Sequence, residues 1–334
     1  MQHPITKNRV PFSVLDLVMV NTDGSPSQSM RNSLDLAQHV ENWGYSRYWL
    51  AEHHNIKGIA SAATSVLIGF IAGGTSKIKV GSGGIMLPNH SPLVVAEQFG
   101  TLECLYPGRI ELGLGRAPGT DPLTAMALRR GNLEKSEDEF PTNLKELLDY
   151  FNPTRPDKKV RANPGEGLDI PVWLLGSSMF SARLAAELGL PFAFASHFAP
   201  TYLESAVNAY LENFQPSKYL KRPYVMAAVN IYAADSDKEA KRLFTSVQQM
   251  ALGMIRRNHT LLQPPVDDMS NLWDSLEEYA VKERLKYSFV GDSCTVKKGL
   301  KTFLNRIHVD EIMAVSHIYD HVARLRSFEI LASL

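Results

Sequence analysis

The chain has 334 residues, 44% of them apolar and 21% charged, with 35 Lys and Arg matched by 35 Asp and Glu. That length allows two ordinary domains or one large α/β core, and the balanced charge without a dense basic run excludes electrostatic nucleic-acid binding. Two cysteines, Cys104 and Cys294, make neither a disulfide framework nor a metal-ligand pattern, so a reducing, cytoplasmic setting without a protein-bound metal is expected.

The leading segment MQHPITKNRVPFS has no apolar core of the kind that directs secretion. Phe12–Val20 (FSVLDLVMV) then reads as a first strand, and Asn21–Ser29 as a polar loop. Ser33, Leu34, Leu36, Ala37, Val40 and Trp43 repeat at helical spacing. Ser46–Leu50 is a second strand, running into Ala51-Glu52-His53-His54. Gly58–Ser76 carries no charge, but its serines, threonines and glycines dilute it too far for a membrane span, so Ser61–Gly73 is expected to be a buried helix. Ile78–Ile85 is a third strand, Pro92–Leu105 a helix and Arg109–Leu114 a fourth strand. Val172–Leu175, an unbroken apolar run, is a fifth strand buried on both faces, and helical spacing resumes at Phe180, Leu184, Ala185 and Leu188. Phe192–Ser196, Tyr224–Tyr232 and Glu311–Ser316 complete the set, with a last helix near 322–332.

Eight strand-then-helix units without a dividing linker predict a (β/α)8 TIM barrel in place of a doubly wound sheet. One domain is expected to span 1–334, its core at about 12–332. Two stretches are long, Gly119–Asp169 after the fourth strand and Met254–Tyr287 after the seventh. Insertions of that length are expected as lids at the C-terminal mouth, where loops of this fold carry chemistry.

Four features fall at that mouth. Gly176-Ser177-Ser178, between the fifth strand and its helix, reads as a seat for an anion on a helix N-terminus or as a plain helix cap. His53 and His54 follow the second strand, where alternation sends neighbours in opposite directions; adjacent strand residues chelate a metal poorly, and both structural and functional roles stay open. Gly81-Ser82-Gly83-Gly84 marks either a tight turn or the close approach of a flat ligand, and its spacing is no dinucleotide fingerprint. Arg116, just past the fourth strand, is either a paired surface charge or a clamp for a dianion.

The pieces RYWLAEHH, VGSGGIMLPNHSPLVVAEQFGTLECLYPGRIELGLGRAPG, PVWLLGSSMFSARLAAELGLPFAFASHF and VDEIMAVSHIYDHVARLRSFEILA together resemble the bacterial-luciferase-like, flavin-dependent monooxygenases, and in particular their single-chain bacterial subgroup. The resemblance implies a TIM barrel with FMN at its mouth. It implies that a separate flavin reductase delivers the FMN reduced, and that oxygen then oxidises a small organic substrate. His53 would be catalytic near the flavin, and His197 would face flavin or substrate. Gly83-Gly84 would hold a non-proline cis peptide under the flavin ring, and Arg116, Gly176, Ser177 and Ser178 would bind its phosphate. A homodimer through the helices after strands two and three is implied as well. Gly115 stands where luciferase carries a reactive cysteine, so light emission and a long-chain aldehyde substrate do not carry over. The competing readings are an F420-dependent oxidoreductase of the same superfamily, a flavin-binding protein without turnover, and a sugar-phosphate barrel enzyme without flavin.

Overall fold

A computed structural model describes residues 10–129, 139–153 and 158–334. The chain runs β1 (Phe12–Asp16), α1 (Pro26–Asn42), β2 (Arg47–Leu50), α2 (Thr64–Gly73), β3 (Lys79–Ser82), β4 (Ile85–Met86), a 3-10 turn (Leu87–Asn89), α3 (Pro92–Leu105) and β5 (Ile110–Gly115). It continues with α4 (Pro122–Arg129), α5 (Phe140–Tyr150), β6 (Val172–Gly176), α6 (Met179–Leu188), β7 (Phe192–Phe194), α7 (Leu203–Asn213) and β8 (Val225–Ala233). The last elements are α8 (Asp237–Ile255), α9 (Ser275–Arg284), β9 (Ser288–Gly291), α10 (Ser293–Arg306), β10 (Glu311–Val315) and α11 (His321–Ser333).

All strand pairs are parallel, in the order β10-β1-β2-β3-β5-β6-β7-β8, and β10 pairs back to β8, which closes the ring. The expected eight-stranded barrel is therefore present. Strand residues alternate between two environments. Val14, Leu50, Leu112 and Leu174 join the cluster under the outer helices, whereas Leu15, Trp49, Trp173, Met226 and Met313 fill the interior. Both faces are covered, which is why the strands read as continuous apolar runs.

The N-terminal end of the barrel is sealed by charge. Arg47 Nε donates to Glu111 (2.8 Å) and Arg47 Nη1 to Glu311, while the Tyr224 hydroxyl donates to the same Glu311 carboxylate (2.8 Å). Above this plug, Trp173 meets Trp49 and Tyr224 edge-on, at centroid distances of 5.2 and 5.6 Å.

The elements depart from expectation in three places. The first strand stops at Asp16 because that buried carboxylate accepts from Val18 N–H (2.9 Å), Ser33 Oγ (2.6 Å), Tyr48 and Arg324 (2.9 Å), and the backbone turns at Val18. The third strand breaks at a cis Gly83-Gly84 peptide, after which β4 pairs farther along β5. An unanticipated strand, β9, pairs with the last residues of β8, from Asn230↔Ser288 to Ala233↔Gly291.

The two insertions also differ from each other. Within 119–169, α5 takes the barrel-helix position beside α3, and none of the described residues of that stretch lines the mouth. Within 254–287, the segment around Leu262 crosses the top of β1: Leu262 N–H donates to Val20 O (2.9 Å) and Thr22 N–H to Leu262 O (3.1 Å). Among the described residues, no helix is long and apolar enough to cross a membrane.

Candidate active site

At the C-terminal ends of the strands lies a cavity of about 350 Å3. Its floor is the apolar barrel interior, Leu15, Trp49, Met226 and Met313 among it. The structure brings eight of the singled-out residues to this one space, His53, Gly83, Gly84, Arg116, Gly176, Ser177, Ser178 and His197, whereas His54, Gly81 and Ser82 do not line it.

One side is built for an anion. Between β6 and α6 the chain reverses within Gly176–Ser178, and a Cβ on Gly176 would stand 2.6 Å from that of Ser181, so only glycine allows the tight turn. Ser178 is the N-cap of α6 in an extended conformation, yet its hydroxyl makes no capping bond, unlike Ser25 on α1 and Ser236 on α8. The first-turn N–H groups and the positive end of the helix dipole are thus turned toward the cavity. Arg116 reaches the same helix start, its guanidinium carbon 4.2 Å from the centre of the Phe180 ring. A ring face helps hold a guanidinium in place beside the helix start.

The His pair divides as strand geometry requires. His53 lines the cavity, whereas His54 turns away and donates from Nε2 to Glu52 (2.8 Å). Glu52 also accepts from His90 Nε2 (2.8 Å) and Met86 N–H (2.9 Å). Burial opposes its charge, but these bonds, His90 foremost, hold its carboxyl below the ordinary value. Glu52 therefore ties the EHH segment to the backbone just past the cis peptide.

Burial favours the neutral form of three histidines at the cavity. Burial pushes His53 down to about 4, against the pull of Glu52. Burial, with His317, His53 and Arg284 nearby, takes His197 down to about 3. His317, at the end of the eighth barrel strand, is held at about 4 by burial and by Arg324. In each ring Nδ1 is buried without a hydrogen-bond partner. An unsatisfied buried nitrogen is costly unless a ligand completes it. No cluster with metal-ligand geometry occurs among the described residues.

Among the lining residues that lay outside the sequence reading are His317, Asn230 and Arg284. His317 had a readable signal, since it lies two residues past its strand, much as His53 and His197 lie three past theirs. Asn230 sits inside an apolar strand, where its amide donates to His197 O (2.7 Å) and fixes that loop. Arg284 lies in an insertion whose path the sequence did not show.

A closed parallel barrel with an anion seat and uncharged imidazoles at its C-terminal mouth belongs to a class of cofactor-binding enzymes. The profile of the luciferase-like monooxygenases matches residues 10–286, and the chain belongs to that family, an oxidoreductase that uses molecular oxygen. It is 53% identical to a luciferase-like monooxygenase of Escherichia coli (strain K12), over 98% of this chain and 97% of that protein. It is 57% identical to YvbT of Bacillus subtilis (strain 168), over 97% of this chain and 96% of that one. The solved structure of apo-MsnO8 superposes with a TM-score of 0.90 at 34% identity, covering 97% of this chain and 98% of the other.

Proposed function

We propose that the chain binds reduced FMN at the barrel mouth, takes it from a separate flavin reductase, and oxidises a small organic substrate with O2. The observation that carries this reading is the convergence of Arg116 and the uncapped start of α6 on a cavity that also holds His53 and His197. The donor set suits a phosphate monoester at one end, and the apolar floor with unpartnered imidazole nitrogens suits a flat, hydrogen-bonding ring system at the other. When bound, reduced FMN supplies the electrons that activate oxygen.

The chain's own residues then have distinct tasks. Arg116, Ser177, Ser178 and the amides after Gly176 hold the phosphate. Gly83 and Gly84 present bare backbone to the ring. His53 and His197, uncharged at neutral pH, can each accept or donate a hydrogen bond at a buried nitrogen without bringing a charge into the cavity. The strap around Leu262 and the helix α8 above the floor keep water out while oxygen reacts. The working unit is a homodimer formed through α2 and α3.

Titration of the purified protein with FMN, reduced FMN and F420, followed by oxygen uptake with photoreduced FMN, tests the reading. Tight binding of FMN and flavin-dependent oxygen uptake are expected. Binding of F420 in preference to FMN, or no uptake of oxygen, would overturn it.

A further inference from the structure

Arg284 closes α9 and its side chain lines the cavity, the guanidinium carbon 5.8 Å from the centre of the Phe198 ring. Two other cations of this insertion are paired, Arg256 with Glu277 (2.7 Å) and Lys282 with Glu278 (2.6 Å). Arg284 has no carboxylate and no hydrogen-bond acceptor within reach among the described residues, and burial alone shifts its pKa, downward. A half-buried guanidinium without a partner is an expense the fold would lose by substitution, unless an anion entering the cavity completes it.

Its position differs from that of the phosphate seat. The seat lies at the ends of β5 and β6, whereas Arg284 stands beside Phe198, beyond the end of β7. Arg284 is in the last turn of α9, whose terminal carbonyls carry partial negative charge, and the neighbouring His197 is uncharged. One guanidinium in the last turn of a helix, beside an uncharged imidazole, suits a monoanion and disfavours a phosphate dianion. Its planar fork matches a carboxylate through two parallel bonds. Around it, Val247, Met250, Ala251 and Met254 of α8 line the cavity, an apolar wall whose methionines adapt to the shape of what they cover.

We propose that Arg284 is the specificity-determining residue of this site, binding the carboxylate of a substrate whose remaining body is apolar. This rests on the mouth being the site of oxidation, as argued above.

The test uses the FMN-saturated protein and calorimetric titration with matched pairs, 4-phenylbutanoate against 4-phenylbutanamide and octanoate against octanamide. We expect at least one carboxylate to bind ten-fold or more tightly than its amide. Arg284→Gln should abolish that preference, Arg284→Lys should keep part of it, and both should leave FMN affinity within two-fold. A wild-type protein that binds the amides equally well, or binds no carboxylate, overturns the proposal. So does a preference that survives in Arg284→Gln, or a loss of FMN affinity in that variant beyond two-fold, which would place the guanidinium on the cofactor. A wild-type chain that fails to bind FMN sinks the flavin reading instead, and the same pairs titrated into the flavin-free protein still decide the role of Arg284.

Discussion

His53 and His54 are neighbours in sequence with opposite surroundings, one against the cavity and one against Glu52. The divergence was legible from strand alternation, but the second donor to Glu52 was not, because the turn that carries His90 is joined to Glu52 only in three dimensions. His317 escaped notice for a related reason. Its place is set by Tyr232, which accepts from His317 N–H (3.0 Å), and by the Asp16–Arg324 pair (2.9 Å), contacts between residues far apart in the chain. Arg116 carries the sharpest prediction at this scale. Arg116→Ala should weaken FMN binding by about 1.5–3 kcal/mol, the range for hydrogen bonds to a charged group. Fluorescence titration of FMN would measure it, and an unchanged dissociation constant would remove Arg116 from the site. The cavity histidines give a second prediction. Their ordinary value is 6.5, but the fold holds His53 and His317 at about 4 and His197 at about 3, so between pH 6.5 and 4 unfolding takes up protons. Stability should fall as pH drops through that window, by ~1.4 kcal/mol per pH unit for each histidine. His308, raised by its bond to Asp310, takes up its proton above this window, and Asp16, held at about 2, loses its contribution only below it. Urea denaturation across pH should show a shallower slope in His317→Asn; an identical slope would mean that His317 titrates normally.

At the scale of elements, long apolar runs were readable and short pairings were not. The nine residues of β8 are all buried and announce a strand, yet their length also creates room for a second partner beyond β10. That partner, β9, is only Ser288–Gly291, too short to show either alternation or an apolar run, and it follows a polar helix. The strap from the same insertion is likewise invisible to periodicity, because backbone bonds hold it: Leu262 exchanges backbone bonds with Val20 and Thr22 beyond the end of β1, while Gly58 lies beneath Thr260. A Cβ on Gly58 would stand 2.5 Å from the Thr260 carbonyl oxygen, so the strap rests on bare backbone. Gly58→Val should lift it. Hydrogen exchange at the Leu262 and Thr22 amides should then run about ten-fold faster, equivalent to about 1.4 kcal/mol of local opening, while the amides of α3 stay as they were. Unaltered exchange at both amides would show that the strap is held elsewhere.

For the whole molecule, the rhythm of eight strands and helices was enough to predict closure, and the division of labour between the two barrel ends follows from what fills them. The N-terminal end buries Glu111 and Glu311 against Arg47, and burial already raises the Glu111 pKa against that attraction. Arg47→Met should therefore leave two buried carboxylates without their cation and cost about 3–5 kcal/mol in denaturation experiments, with FMN affinity intact in the folded fraction. The outer surface carries the remaining argument. Val66 and Phe70, one turn apart on α2, are 69% and 43% exposed, and Val94 and Leu105 on the adjacent α3 are 45% and 63% exposed. Eleven residues bring a helix close to the same orientation, so Val94 and Leu105 share one side of α3. Apolar side chains gathered on neighbouring helices favour burial against a like surface, and a two-fold axis would pair each face with its own copy. Sedimentation should report twice the chain mass, and Val66→Asp with Phe70→Glu should yield a folded monomer that still binds FMN, since neither side chain lines the cavity. A wild-type chain that sediments as a monomer at micromolar concentration would show that these helices face water.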